Sequence, residues 1–318
     1  MTTASVARSS CTFSCVCGEY TREPGVGVAG RGRVAVDNAR PRRVSRSGNE
    51  LRRLYRLLVE PVAELLPTEP GARVMVVPQG NLFLVPFAAL EDAGGAPLVS
   101  RYSLSLTPSM QTLSLTGARK GPARADSSSL VVGNPLMPRY VPVPGAAPLD
   151  VPPLPGAEDE ARAVAELLHA KPLTGAAATK PAVLQAARDA RYIHLATHGF
   201  LDDFTERAQS ESNPYVRRLT LLEDDASGTH SRTPGLLALA PSPGDGGMLG
   251  ADEIAQARTQ AELVVMSACD TGRGAINDEG VIGLSRAWMA AGVPSVVVSL
   301  WSIPDEPTRE LMETFYRR

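Results

Sequence analysis

Two apolar segments of this chain each run up to a residue capable of proton transfer or nucleophilic attack. Tyr192-Ile193-His194-Leu195-Ala196-Thr197-His198-Gly199 reaches a histidine, and Leu263-Val264-Val265-Met266-Ser267-Ala268-Cys269-Asp270-Thr271-Gly272 reaches a cysteine. A thiolate is a strong nucleophile, and imidazole is the side chain best able to exchange a proton with it near neutral pH. Open α/β folds build their sites at the carboxyl edge of the sheet, and there the pair would support covalent attack on a carbonyl group. His194 and His198 stand at period-two spacing on one strand face, so spacing alone does not decide which is the base. His198 is nearer the strand end and precedes Gly199, whose missing Cβ lets its N–H approach a bound carbonyl closely.

Around these segments, strand and helix patterns alternate. The spacing predicts helices over 157–168, 181–190, 251–258, 280–291 and 305–318, and strands over 192–197, 263–267 and 295–300. That alternation predicts a parallel sheet covered by helices. Glu158, Asp159 and Glu160 fall in the first turn of their helix, where carboxylates favour the positive end of the dipole. Residues 201–247, between the two segments, are long, polar and rich in Gly and Pro. They read as an insertion, a substrate-contacting loop or a processing site.

Upstream, Leu51, Leu54, Leu58, Val62 and Leu65 recur at helical spacing, with Pro61 dividing the helix. Arg73–Val77 and Leu82–Val85, separated by Pro-Gln-Gly-Asn, read as a hairpin. Tyr102–Leu106 reads as a half-buried strand and Leu130–Val132 as a short buried one. Three parts follow from this pattern: 49–135, with no nucleophile and base together; a proline-dense linker over 136–155; and 156–318, which carries the histidine and the cysteine.

Residues 1–48 hold eight Arg against three acidic residues and show no period, so a disordered tail is expected, with an organelle transit peptide as the alternative. Cys11, Cys15 and Cys17 lie in that tail, and Cys269 is the single cysteine after it, which excludes a disulfide framework for the folded part. No signal-peptide core opens the chain, and a reducing cytoplasmic setting is expected. No His or Cys cluster completes four metal ligands with the tail cysteines, and no metal or cofactor is expected. The net charge of −2 over 318 residues leaves no footprint for nucleic acid. No apolar run approaches the length of a membrane span.

Further motifs accompany the two segments: Leu82-Phe83-Leu84-Val85-Pro86-Phe87-Ala88-Ala89-Leu90, Thr107-Pro108-Ser109 and Leu154-Pro155-Gly156-Ala157-Glu158-Asp159-Glu160-Ala161. Later come Gly283-Leu284-Ser285-Arg286-Ala287-Trp288-Met289-Ala290-Ala291-Gly292 and Val296-Val297-Val298-Ser299-Leu300-Trp301. In this order, over residues 50–318, they resemble the CHAT family of caspase-like domains, related more distantly to separase, the metacaspases and the caspases. The resemblance implies a caspase-hemoglobinase-like α/β fold, a mostly parallel sheet flanked by helices in three αβα layers.

It also implies a function. Cys269 would be the nucleophile and His198 the base, with the Gly199 and Cys269 amides as the oxyanion hole of a cysteine endopeptidase acting on protein or peptide substrates. Asp305, which aligns with a separase pocket residue, and Asp270 are candidates for binding a basic P1 side chain; a helix N-cap is the alternative role for Asp305. The resemblance departs at Asp278, where relatives carry the first glycine of a Gly-Glu-Gly element, and at Tyr316-Arg317-Arg318, where relatives continue with a helix and a closing strand. Two alternatives stand: a catalytically silent interaction module working beside helical-repeat (TPR-type) partners outside this chain, and a cysteine acyltransferase.

Overall fold

The computed structural model describes residues 13–15, 47–118, 128–140, 148–200, 235–268, 275–277, 280–300 and 303–318. β1 (Phe13–Cys15) and α1 (Ser47–Leu58) come first, then β2 (Ala72–Val76), β3 (Tyr102–Leu106) and α2 (Met110–Ala118). β4 (Ser128–Pro135), β5 (Arg139–Tyr140), β6 (Leu149–Asp150), α3 (Pro155–Leu167) and β7 (Leu173–Gly175) follow. α4 (Lys180–Ala187), β8 (Ala190–Ala196), β9 (Gly199–Phe200), β10 (Leu236–Ala238), β11 (Met248–Gly250) and α5 (Ala251–Gln256) come next. The described chain closes with β12 (Leu263–Met266), β13 (Ala275–Asn277), β14 (Gly280–Ile282), α6 (Leu284–Ala290), β15 (Val296–Val298) and α7 (Asp305–Tyr316).

The expected parallel sheet is present. Its strands run β7-β4-β8-β12-β15, all parallel, and β1 adds in parallel at the β15 edge with Phe13 opposite Val296. Phe13–Cys15 therefore forms a strand within the tail expected to lack order; residues 1–12 and 16–46 lie outside the described residues.

Period-two alternation sorts the strands onto two faces. Leu130, Val132, Ile193, Leu195, Val264, Met266, Val296 and Val298 face one core, closed by Val183 of α4, Ile254 of α5 and Trp288 of α6. Val131, Val265 and Val297 face the other, closed by Ala161 and Val164 of α3 and Met312 of α7. The result is three αβα layers. Among the described residues no helix is long and apolar enough to cross a membrane.

Helix α3 lies unusually close to the sheet because of Gly133 in β4. A Cβ built there would come 2.3 Å from the Ala161 Cβ and 2.5 Å from the Ala157 carbonyl oxygen. Pro155 opens this helix, where its missing N–H costs nothing. Glycine against alanine thus sets the distance between α3 and the sheet, and with it the position of the segment that leads into α3.

The 73–85 region corrects the sequence reading. β2 pairs in parallel with β3, not in a hairpin, and Gly80–Leu84 forms a 3-10 turn with Gly80 at φ +50°. Pro78 and Pro86 bracket that turn and withhold ladder donors, so the partner strand comes from farther along the chain. β2 and β3 pack on a small core of Val59, Phe87, Leu90, Leu98 and Tyr102. Pro61 does divide the first helix: α1 stops at Leu58, and a 3-10 segment spans Glu60–Leu65. Gly280–Ile282, expected as helix, is strand β14, and α6 begins only at Leu284.

Candidate active site

The chain leaves β4 for β7 on one side and then returns to lay β8, β12 and β15 on the other. The crevice at the carboxyl ends of β4 and β8 is the topological switch point, where open α/β sheets bind ligands. β8 is held in register on both sides, with His194 opposite Val131 of β4 and Val265 of β12. The strand stops at Ala196, and His198 stands two residues beyond it, half-buried.

The backbone at His198 is clamped by β10. The buried Thr197 hydroxyl donates to the Ala238 carbonyl at 2.7 Å, and the Ala238 N–H donates to the His198 carbonyl at 3.0 Å. Antiparallel pairing of β9 with β10 continues the clamp through Gly199 opposite Leu237. Gly199 does not have a positive φ, so no left-handed turn calls for glycine there.

The imidazole itself is fixed by a backbone group. Nε2 of His198 lies 2.9 Å from the carbonyl oxygen of Pro152. A carbonyl only accepts, so Nε2 must carry the proton and Nδ1 is left as the basic nitrogen. The Pro152 oxygen also stabilises the imidazolium, because a hydrogen bond to an ionised donor is the stronger one. Pro152 lies in the proline-dense stretch read as a linker. Main-chain carbonyls carry no signature in residue type, so this orienting group had no sequence signal.

Cys269 and Asp270 lie outside the described residues, as do Asp278 and Glu279. Their approach is described: β12, which leads to Cys269, pairs in parallel beside β8, with Met266 opposite Leu195. The two strands that lead to His198 and Cys269 are therefore neighbours, pointing the same way. The buried Ser299, just past β15, donates its hydroxyl to the carbonyl of Ala268, the residue before Cys269. Asp305 is the first residue of α7. The cap position belongs to Pro304, extended at φ −77° and ψ 141°, which removes the N-cap reading of Asp305.

His194 serves a different purpose. It is fully buried in the row Val131, His194, Val265, Val297 and packs under α3 and α7. Its Nδ1 lies 3.2 Å from the Tyr316 hydroxyl of α7, and Nε2 lies 3.0 Å from Glu160 Oε1 of α3, at an angle too oblique for a hydrogen bond. Tyr316 also meets the imidazole edge to face at 5.5 Å. Burial first, and the Glu160 carboxylate second, hold the Tyr316 phenol far above its usual range, so it stays a neutral O–H. Glu160 is thus not a first-turn surface acid. Glu158 takes that role, held below the usual carboxylate range by Arg162 and by Asn134, which donates to it at 3.1 Å. A signal for the buried glutamate was present: Glu160 shares the apolar stripe of Ala157, Ala161 and Val164.

Among the described residues no group of three or more His, Cys, Asp or Glu side chains could hold a metal ion. The CHAT domain family matches residues 48–318. Over 296 residues the chain is 32% identical to Tetratricopeptide repeat protein 28 of Mus musculus, covering 84% of this chain and 12% of the relative. The match to Tetratricopeptide repeat protein 28 of Homo sapiens is also 32% over 296 residues, covering 84% of this chain and 11% of that relative. The chain spans about one-eighth of the length of these curated relatives. With the family's match running from the first helix to the last residue, over a three-layer parallel fold, this chain belongs to the CHAT domain family.

Proposed function

We propose that this domain is a cysteine endopeptidase in which His198 and Cys269 act as a dyad on protein or peptide substrates in a cytoplasmic setting. The observation that carries the reading is the fixed imidazole at the switch point: Nε2–H bonded to Pro152, Nδ1 basic, and the strand leading to Cys269 paired alongside. In this scheme Nδ1 accepts the thiol proton, and the sulfur attacks the scissile carbonyl carbon. The carbonyl π electrons move to oxygen, which the Gly199 and Cys269 amides receive. The imidazolium then protonates the leaving amine as the C–N bond breaks, and water taken up through His198 hydrolyses the thioester.

For specificity, α7 starts beyond the carboxyl end of β15, the same sheet edge at which His198 emerges. That location favours Asp305, with Asp270, as the acid that would pair with a basic P1 side chain. A second reading, a silent CHAT module acting beside helical-repeat partners, is favoured by one observation: the curated relatives are named as tetratricopeptide repeat proteins far longer than this chain. Cleavage of a peptide library by the purified protein and by Cys269→Ala, run side by side, separates the two. The peptidase reading expects cleavage by the first alone; no cleavage by either leaves the silent module.

A further inference from the structure

We infer that Asn134 is a positioning residue for the His198 imidazole, acting through the main chain of Pro152; this rests on the reading of His198 as the base. Asn134 lies at the carboxyl end of β4, one residue past Gly133, which pairs with Ala196 at the end of β8. In the ladder with β7, Gly133 pairs with Thr174 and Pro135 with Gly175, so Asn134 is the residue left unpaired by a bulge. Its φ is +43°, in the left-handed region that residues other than glycine seldom enter. A bulge next to a site re-aims a side chain, and backbone strain of this kind persists only where surrounding contacts hold it.

The contacts that hold Asn134 come from the segment that carries Pro152. Its Oδ1 accepts from the Leu154 N–H at 2.7 Å, and its Nδ2 donates to Glu158 Oε2 at 3.1 Å. The N–H needs an acceptor and the carboxylate needs a donor, so both partners demand the same orientation of the amide. Two planar peptide units joined at Pro153 separate the anchored Leu154 N–H from the Pro152 carbonyl. The Pro153 ring locks φ, which leaves its ψ as the one free torsion between the two groups. Fixing Leu154 therefore fixes the oxygen that receives the His198 Nε2–H at 2.9 Å. The end of β4 thus sets the orientation of a side chain that follows β8, by way of the entry to α3.

Two variants of the full chain test this. Asn134→Gly accepts the positive φ and removes both side-chain bonds, so it separates their effect from backbone strain. Asn134→Asp combined with Glu158→Gln rebuilds both bonds: the new carboxylate accepts from the Leu154 N–H and from the new side-chain amide at position 158. The ring 15N shifts of His198, assigned by their absence in His198→Ala, read the imidazole without any need for cleavage. In the native chain Nε2 should be a fixed N–H nitrogen. In Asn134→Gly its shift should move toward that of a free imidazole, which exchanges its proton between both nitrogens, and in the double variant it should return to the native value.

Peptide cleavage should follow the same order. In Asn134→Gly kcat should fall about 10- to 100-fold with KM within about twofold, because a misplacement of about 1 Å costs up to about 10²-fold, and the double variant should recover it. A loss of stability in Asn134→Gly with the Nε2 shift and kcat unmoved would leave Asn134 as an anchor of α3 alone and overturns the proposal. An Nε2 shift displaced equally in both variants also overturns it. If the native chain cleaves no peptide, the peptidase reading fails by itself, and the Nε2 shift still decides the role of Asn134.

Discussion

Replacing His194 by Leu should destabilise the protein far more than replacing His194 and Glu160 by Leu together. Both groups are buried, His194 at 0% exposure and Glu160 at 3%, and they approach to 3.0 Å in an otherwise apolar layer. In His194→Leu the Glu160 carboxylate keeps its place but loses the imidazole, and the Tyr316 hydroxyl loses its nitrogen partner. Breaking one side of a buried pair costs about 3–5 kcal/mol, whereas exchanging the whole pair for apolar groups is often neutral or stabilising by about 1–4 kcal/mol. Glu160→Leu alone should cost about 1–3 kcal/mol, the penalty for leaving the buried imidazole Nε2 facing an apolar group in place of the carboxylate. The double variant should then fall well below the sum of the two, with a coupling energy of about 4 kcal/mol or more. Urea unfolding followed by circular dichroism on the four proteins measures it. Additivity within about 0.5 kcal/mol would refute the claim that these side chains act as one buried unit.

Gly133→Ala should destabilise by about 1–3 kcal/mol or more, because the new methyl meets the Ala157 backbone at 2.5 Å and α3 must lift from the sheet; thermal unfolding reads the loss. Acid should loosen the contact between α4 and the turn between β10 and β11. Burial would raise the Asp245 carboxyl, but the Gly247 N–H and the Lys180 ammonium, 3.1 Å away, outweigh it and hold Asp245 below its ordinary 3.8. A depressed carboxylate contributes stability that is full above its unfolded pKa and is lost as pH falls through the folded value. Asp245→Asn should therefore flatten the stability profile below about pH 3.8 and leave it unchanged in slope near neutrality. Asp305→Asn should lower kcat/KM for peptides with Arg or Lys at P1 and leave Cys269 alkylation by a small neutral reagent unchanged; an unmoved P1 profile would exclude the pocket role.

Much of this architecture is legible in residue pattern. The alternation of Leu130–Val132, Ile193–Leu195, Leu263–Met266 and Val296–Val298 between apolar runs and helical stripes forces a parallel sheet, because each strand is buried on both faces. His194 stands out as a polar residue on an apolar strand, and His198 as one just past its end, yet the sequence leaves their roles open. What separates them is tertiary: one meets Glu160 and Tyr316, distant by 34 and 122 positions, and the other meets a main-chain oxygen 46 positions upstream. The parallel pairing of β2 with β3 was hidden for the same reason, since local turn residues point to the nearest strand while register is decided by burial. Glu160 is legible as buried only from the apolar stripe of Ala157, Ala161 and Val164 that it shares; as the third of three consecutive acids it reads instead as part of the helix's charged first turn.

The pairing of His198 with Cys269 is tested most directly by labelling Cys269 with an electrophilic peptide probe as a function of pH, in the native chain, His198→Ala and the His194→Leu, Glu160→Leu double variant. Only a base in reach of the thiol raises its thiolate fraction or positions it for attack. The predicted result is labelling at Cys269 that drops about 10²- to 10⁴-fold in His198→Ala, the usual contribution of a positioned base, while the double variant follows the native profile. Equal labelling of all three proteins, or loss in the double variant alone, would contradict the account.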